Sequence, residues 1–346
     1  MEAVKGYAAH SCGAPLKPFD FQRRALEPTD VALDILYCGI CHSDVHMVHN
    51  DWGRSQYPLV PGHEIIGVVT AIGNEVTAYA VGDSVGVGCM VDACRTCHAC
   101  EQDLAQFCRD VVMTYGSPDP KLPEHITQGG YSSAIVVDQD FVLRIPEGIS
   151  LPHAAPLLCA GITTYSPLKH WQVQPGHKVG IIGLGGLGHM AIQITKAMGA
   201  HVVAITASES KKSSAFSLGA DAVCLSTDAQ QMADHDGVFD LLLNTIPVQH
   251  DVTPYMGLLK HECTLVMLGA TPIDLHSMSL LFGRKYIAGS LIGGIHETQE
   301  MLAFCAEHNI RSEIECIHIQ DINRAYKRLL AGDIACRFVI DMQSLQ

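Results

Sequence analysis

Along the first 35 residues apolar and polar positions alternate in short runs broken by Pro15, Pro18 and Pro28. A period of two punctuated by turn formers predicts strands and turns rather than long helices. The same texture returns after Gly62, where Ile65-Ile66-Gly67, Val68 to Gly73 and Val81-Gly82-Asp83-Ser84-Val85-Gly86-Val87 set valine-rich runs between glycines. That pattern predicts a small antiparallel barrel or sheet. Gly129-Gly130-Tyr131, Val136-Val137 and Val142 to Pro146 keep the strand-like composition and close this first region.

The pattern changes near residue 154. Ala154 to Leu168 is the most apolar stretch, interrupted by Pro156 and Gly161, and fits a helix passing behind a cleft. Pro175-Gly176-His177-Lys178 reads as a turn and Val179-Gly180-Ile181-Ile182 as a short, fully apolar strand. Next comes a helical period, with Leu187, Met190, Ala191, Ile194, Ala197 and Met198 on one face and Gly199 as the stop. Further strands are predicted at His201 to Ile205, Phe239 to Ile246, Thr264 to Leu268 and Tyr286 to Ile292, the alternation of an α/β fold. A helix from about Glu297 to His308 and a last strand, Arg337 to Asp341, read as a return to the first region. The expected division is therefore residues 1–154 with 293–346 as a mainly-β domain, and residues 155–292 as a Rossmann doubly wound parallel sheet.

A chain of 346 residues is comfortable for two domains, and a cleft between domains is where a ligand is first sought. The formal net charge of −14 disfavours nucleic acid and anionic membranes as partners. The opening Met1-Glu2-Ala3-Val4-Lys5-Gly6 shows no basic region followed by an apolar run, so neither a secretory signal nor a membrane span is expected. The 14 cysteines then point to a reducing cytoplasm, where clustered cysteines hold metal more often than they form disulfides.

Two cysteine groups carry metal chemistry. Cys41, His63, Glu64 and Cys159 offer two thiolates, an imidazole and a carboxylate, a donor set suited to Zn²⁺ that leaves a position open for water or substrate. Cys38 is the alternative first ligand, but its partner would be missing from the later pattern, and Cys41 is preferred. Cys94, Cys97, Cys100 and Cys108, spaced C-x2-C-x2-C-x7-C, can close a tetrahedral structural zinc. Glu101 and Asp103 lie among them and Arg95 alone brings a fixed positive charge, so a staple for a long loop is expected rather than a DNA-binding finger. Ser43 and His46, two and five residues beyond Cys41, could pass a proton out of a buried site. Trp52 and Tyr57 lie on the following loop, as pocket wall or as core.

Gly183-Leu184-Gly185-Gly186-Leu187-Gly188 follows a strand and opens a helix, which is the context a G-x-G-x-x-G needs to read as a dinucleotide loop. Its glycines let the backbone approach a pyrophosphate, whose charge meets the helix N-terminus. Past the second strand stand Thr206-Ala207-Ser208-Glu209-Ser210-Lys211-Lys212, where an NAD enzyme usually places a carboxylate at the strand end. Hydroxyls followed by two lysines suit the 2′-phosphate of NADP; Glu209 is the contrary residue, placed beyond the strand end where it could face solvent.

With these residues in view, the sequence resembles the zinc-dependent medium-chain alcohol dehydrogenases, and within them the cinnamyl alcohol dehydrogenase branch with its bacterial aldehyde-reductase relatives. The likeness spans nearly the whole chain and rests on Gly62-His63-Glu64 with Gly67, Gly73 and Val76, on the Cys94 to Cys108 quartet, on Gly183 to Gly188 and on Gly289-Ser290-Leu291-Ile292-Gly293. It implies a GroES-like catalytic domain and two zincs per chain. The catalytic one would sit on Cys41, His63 and Cys159, with Glu64 entering as fourth ligand when water leaves. It also implies a relay of Ser43 and His46 through the nicotinamide ribose, and cofactor contacts from Ser43, Thr163, Thr245, Gly269, Ser290, Leu291 and Ile292. Thr206, Ala207, Ser208 and Lys211 would surround the 2′-phosphate, and homodimers would join through their cofactor domains. Plant members carry a tryptophan where Met113 stands, and a flexible methionine predicts a less strictly cinnamyl pocket, lined by Trp52, Met113, Tyr115 and Leu291. The expected activity is NADP(H)-linked reduction of aromatic and medium-chain aldehydes, reversible as alcohol oxidation. The competing readings are an NAD-linked polyol dehydrogenase and a non-catalytic zinc and dinucleotide sensor, the latter disfavoured by the intact ligands, relay and loop.

Overall fold

A computed structural model describes residues 2–332 and 337–345. The chain divides into two compact units, Met1–Cys159 with Gly293–Gln346 and Ala160–Ile292.

The first unit is built on a seven-stranded sheet whose hub is the strand Asp30–Gly39. One edge of the hub pairs antiparallel with Ile65–Ile72, which leads on to Ser84–Val87 and Leu143–Arg144. Its other edge takes Ala134–Asp138 near the start and Arg337–Asp341 near the end, and the latter pairs in parallel with Ile314–His318. Val31, Leu33 and Ile35 alternate inward at the period of two. Between Ile35 and Tyr37 the register shifts, and it is Cys38, not Tyr37, that ends buried. The bulge thus re-aims the strand just before it delivers Cys41.

The second unit is a six-stranded sheet with all pairings parallel, in the order Ala222–Leu225, His201–Thr206, Lys178–Ile182, Phe239–Asn244, Leu259–Met267, Tyr286–Gly289. Strand order reverses beside Lys178–Ile182, the switch point at which doubly wound sheets bind ligands. Ile182, Val203, Ile205, Phe239, Leu242, Met256 and Leu265 form a buried core under this sheet. Helix Gly186–Ala197 buries Met190, Ala191 and Ile194, while Leu187, Ala197 and Met198 stay half-buried.

Several elements differ from expectation, the strand Phe239–Asn244 and the helix Ile295–Glu307 by a residue or two, and three others for a visible reason. The fifth strand of this sheet starts at Leu259, because the exposed run Lys260-His261-Glu262 hides its beginning from an apolar pattern. The sixth ends at Gly289, and Ile292 takes a positive φ of 39° that no strand sustains. Cys159 does not lie within a helix: it stands at φ −125°, ψ −65° between the 3₁₀ turn Ala155–Leu158 and the helix Ala160–His170. Among the described residues no helix is long and apolar enough to cross a membrane.

Candidate active site

In the first unit, Cys41, His63, Glu64 and Cys159 each present a donor atom, and these atoms all lie within 4.8 Å of one another. Cys41 stands where the hub strand meets the helix His42–His49. His63 and Glu64 precede the strand Ile65–Ile72, after Gly62 at φ 105°. A Cβ on Gly62 would come within 2.7 Å of the Tyr131 ring and 2.8 Å of Cys38 Sγ, so that turn admits only glycine. Cys38 lies outside the donor set, buried behind Gly62 and Gly130.

His63 Nε2 is 3.2 Å from Cys159 Sγ, and the two sulfurs are 3.9 Å apart. The imidazole is fixed from behind, with Nδ1 3.0 Å from Asp44 Oδ1. Asp44 is fully buried and its Oδ2 accepts the Cys41 amide at 2.8 Å, while Oδ1 also accepts the Gly62 amide at 3.1 Å. One carboxylate therefore ties the two ligand-bearing segments together and leaves His63 Nε2 free to face the sulfurs. The Cys159 thiol, donating to Cys41, holds Cys41 well below the ordinary thiol range, and the same contact pushes Cys159 well above it. Burial raises Glu64 to about 7 against the pull of Arg337, which donates to Glu64 Oε1. Glu64 Oε2 is buried with no hydrogen-bond partner. Two soft sulfurs, an oriented imidazole and a buried carboxylate, with their donor atoms converging, fit a zinc ion.

Ser43 Oγ lies 3.7 Å from Cys41 Sγ. His46, on the same helix, holds Asp51 Oδ2 at 2.7 Å through Nδ1, and its ring is 5.4 Å from that of Trp52. Among the aromatics expected near the site, Tyr115 is buried with its ring 5.7 Å from the His63 ring, in one cluster with Met47 and Leu59. Trp52 and Tyr57 pack against that cluster. Met113 is half-buried on a short strand pairing with Met90.

The second cysteine group also converges: the donor atoms of Cys94, Cys97, Cys100 and Cys108 lie within 4.8 Å of one another. Cys100 Sγ is 3.9 Å from Cys94 Sγ and 3.6 Å from Cys97 Sγ. Short 3₁₀ turns, Cys100–Gln102 and Ala105–Phe107, carry the segment, and they bury little besides Gln106 and Cys108. Four thiols with no carboxylate among them fit a closed structural zinc.

In the second unit Gly183, at φ 92°, follows the first strand, and Gly185 caps the helix Gly186–Ala197. A Cβ on Gly188 would fall 2.1 Å from the Gly183 carbonyl oxygen, whereas one on Gly185 would meet nothing within 4 Å. The loop is thus closed on its protein side and open where a pyrophosphate would approach. Thr245 Oγ1 props it, donating to the carbonyls of Ile182 at 2.9 Å and Gly183 at 3.1 Å. Lys211 Nζ reaches the Leu184 carbonyl at 3.0 Å, which brings the lysine to the loop from the end of the second strand. Thr206 is buried, Ala207 exposed, and Ser208 bonds Ser210 at 2.8 Å. Glu209 is exposed and paired with Lys212 at 2.8 Å. Thr163 is buried in the helix Ala160–His170, and a Cβ on Gly269 would meet the Ile246 carbonyl at 2.4 Å. The Ser290 amide donates to Met267, and Leu291 is exposed.

A groove of about 780 Å³ elsewhere in the first unit shares no residue with either donor set. Its cations are already engaged: Arg23 by backbone carbonyls, Arg24 by Asp30, and Lys121 by Glu27 and Asp30.

Sequence reasoning passed over Asp44 and Arg337. The Cys41-x-x-Asp44 spacing, an acid at the third position of a helix, was a readable capping signal. Arg337 had none, because its partner Glu64 lies 273 positions away.

Two protein families match the chain: the alcohol dehydrogenase GroES-like domain over residues 27–147 and the zinc-binding dehydrogenase over residues 186–307. Aldehyde reductase YahK of Escherichia coli (strain K12) is 52% identical over 348 residues, 99% of each chain. NADP-dependent alcohol dehydrogenase C 1 of Mycolicibacterium smegmatis is 52% identical over 351 residues, 100% of each chain. The crystal structure of the Helicobacter pylori cinnamyl alcohol dehydrogenase complexed with NADP(H) superposes with a TM-score of 0.93 at 42% identity, covering 99% of this chain and 98% of that one. With a GroES-like unit, a doubly wound unit and two convergent donor sets, the chain belongs to the zinc-binding alcohol dehydrogenase family.

Proposed function

We propose that this protein is an NADP(H)-linked zinc alcohol dehydrogenase that reduces aromatic, cinnamyl- or benzyl-type, and medium-chain aldehydes and runs reversibly. The observation that carries the reading is the buried convergence of Cys41, His63, Glu64 and Cys159 in a chain that also holds a glycine loop open to a pyrophosphate. Cys41, His63 and Cys159 hold the catalytic zinc, and Cys94, Cys97, Cys100 and Cys108 hold the structural one. When bound, the metal supplies Lewis acidity at the carbonyl oxygen and the reduced nicotinamide supplies the hydride. Glu64, with one oxygen paired to Arg337 and the other unpartnered, would enter as the fourth ligand when water leaves. Ser43 and His46 handle the alcohol proton; Asp51 occupies His46 Nδ1, which leaves Nε2 to exchange it.

Residues 1–154 with 293–346 form the catalytic domain and residues 155–292 the cofactor domain in this reading. Gly183 to Gly188 cradle the pyrophosphate, with Thr163, Thr245, Gly269, Ser290 and Ile292 as further cofactor residues. Thr206, Ala207, Ser208 and Lys211 receive the 2′-phosphate, a role supported by the lysine already reaching Leu184 and by Glu209 being tied to Lys212. Trp52, Met113 and Tyr115 give substrate an apolar wall, and Leu291, exposed on the second unit, is assigned to substrate as well. A homodimer through the cofactor unit is supported by the edge strand Tyr286–Gly289 and the exposed Leu281, Phe282 and Tyr286. A cytoplasmic setting suits thiols gathered into two metal-binding groups.

The test is a panel of aldehydes assayed with NADPH and with NADH, with metal content measured on the same samples, for the wild type and Cys159→Ala. NADPH is expected to exceed NADH by at least about tenfold in kcat/KM, the worth of one charged hydrogen bond. Turnover that survives in Cys159→Ala with one zinc gone sinks the mechanism, and a preference for NADH rejects the cofactor.

A further inference from the structure

Behind His63 the structure holds a second buried polar group that the proposed reaction does not use. Tyr131 is 0% exposed, and its hydroxyl donates to Asp44 Oδ2 at 3.1 Å. That oxygen also accepts the Cys41 amide at 2.8 Å, while Oδ1 serves His63 Nδ1 and the Gly62 amide. Four donors thus lie within hydrogen-bond distance of Asp44, and Tyr131 supplies one from outside the ligand-bearing segments. The Tyr131 backbone is pinned independently: its amide donates to Pro61 at 3.0 Å, and its carbonyl accepts from Tyr7 at 2.9 Å. Its ring presses on Gly62, where a Cβ would come within 2.7 Å. The phenol is thus a fixed donor, held by one turn and aimed at the carboxylate that orients the imidazole.

We infer that Tyr131 is a positioning residue for the catalytic metal, its hydroxyl fixing Asp44 and limiting the negative charge that Asp44 lends to His63. The physical reason is that a carboxylate shared among four donors pulls less on any one of them. With the phenol in place Asp44 keeps its hold on His63 Nδ1, and Nε2 stays directed at the Cys159 sulfur. Without it, Asp44 is free to rotate toward His63 and away from the Cys41 amide, and the two ligand segments lose their common tie. Tyr79 offers an internal comparison, a half-buried tyrosine of the same unit whose hydroxyl donates to the Val142 carbonyl, outside both donor sets.

This inference rests on Cys41 and His63 being metal ligands, and the experiment separates the two. Zinc release from the purified protein to a chromophoric chelator is followed for the wild type, Tyr131→Phe, Tyr79→Phe and Cys41→Ser, together with visible spectra of the cobalt-substituted proteins. Tyr131→Phe keeps the ring on Gly62 and deletes one oxygen. It is expected to release one of its two zincs about 10- to 100-fold faster, the usual effect of losing a partner of a metal-bound histidine. Its other zinc should leave at the wild-type rate, and its cobalt absorption bands should move. Tyr79→Phe should match the wild type. Placing Tyr131→Phe on Asp44→Asn should add nothing further to release, because the hydroxyl acts through that carboxylate. Wild-type release and an unmoved cobalt spectrum in Tyr131→Phe overturn the inference, as does an equal effect from Tyr79→Phe, which would mark general loosening. If Cys41→Ser keeps both zincs, the ligand assignment itself has failed.

Discussion

Arg337 donates through Nη2 to Glu64 Oε1 in the interior of the first unit, where the two side chains are 9% and 0% exposed. The C-terminal strand thereby reaches the donor set that the first 64 residues began. On the opposite side of Glu64 lies Gly39, where a Cβ would fall 1.9 Å from Oε2. The carboxylate is held between a guanidinium and a bare backbone.

Breaking that pair should cost more than replacing it. Arg337→Ala leaves a buried carboxylate without its partner and is expected to lower unfolding free energy by about 3–5 kcal/mol. The double variant Glu64→Gln with Arg337→Met removes both charges and should recover most of that loss. Urea unfolding of the three proteins measures both effects, and equal losses in the single and double variants would deny the pair its role.

The glycine loop makes opposite predictions at two positions three residues apart. Gly188→Ala puts a methyl 2.1 Å from the Gly183 carbonyl, so the loop must shift, and NADPH affinity should fall by at least about tenfold with a loss of stability. Gly185→Ala meets nothing within 4 Å and should melt like the wild type while still binding NADPH more weakly. Calorimetric melting and cofactor titration separate the two, and full affinity in Gly185→Ala would mean the open side of the loop is not where the pyrophosphate sits.

The Cys94 to Cys108 segment buries few of its own side chains, so its order should depend on its metal. Stripping zinc with a chelator is expected to make trypsin cut at Arg95 or Arg109 at least about tenfold faster than in the loaded protein. Fragment masses read the result. Cleavage that ignores the chelator would mean the lobe holds itself together.

Asp30 gives a pH dependence away from both metals. Its side chain is 0% exposed, and burial alone would raise its pKa, but hydrogen bonds from Arg24 outweigh that and hold it below its ordinary 3.8. A depressed acid contributes stability that is fully present above its unfolded pKa and is lost as pH falls through the folded value. Asp30→Asn should therefore be about 3 kcal/mol less stable than the wild type at pH 7, with the gap narrowing below about pH 4. Urea midpoints at pH 7 and pH 3 check it, and a gap that widens in acid would reverse the assignment.

Much of this was legible in residue order because its causes are local. Alternation at a period of two marked the strands, the glycine loop stood between a strand and a helix, and the cysteine quartet was closed within fifteen positions of chain. Exposed polar runs such as Lys260-His261-Glu262 blurred where strands begin, since burial on one edge leaves little apolar trace.

By itself, then, the order of residues determined which side chains were available for metal and cofactor and which elements would carry them, because donor chemistry and backbone periodicity are written in neighbours. Only the tertiary structure decided that Asp44 grips both ligand segments, that Tyr131 backs it, and that Arg337 returns from the far end of the chain to meet Glu64. Apart from the local bond of Asp44 to the Cys41 amide, those contacts join residues 18 to 273 positions apart, and no local period encodes them. They exist because buried charges and polar groups must find partners once the sheet has closed around them.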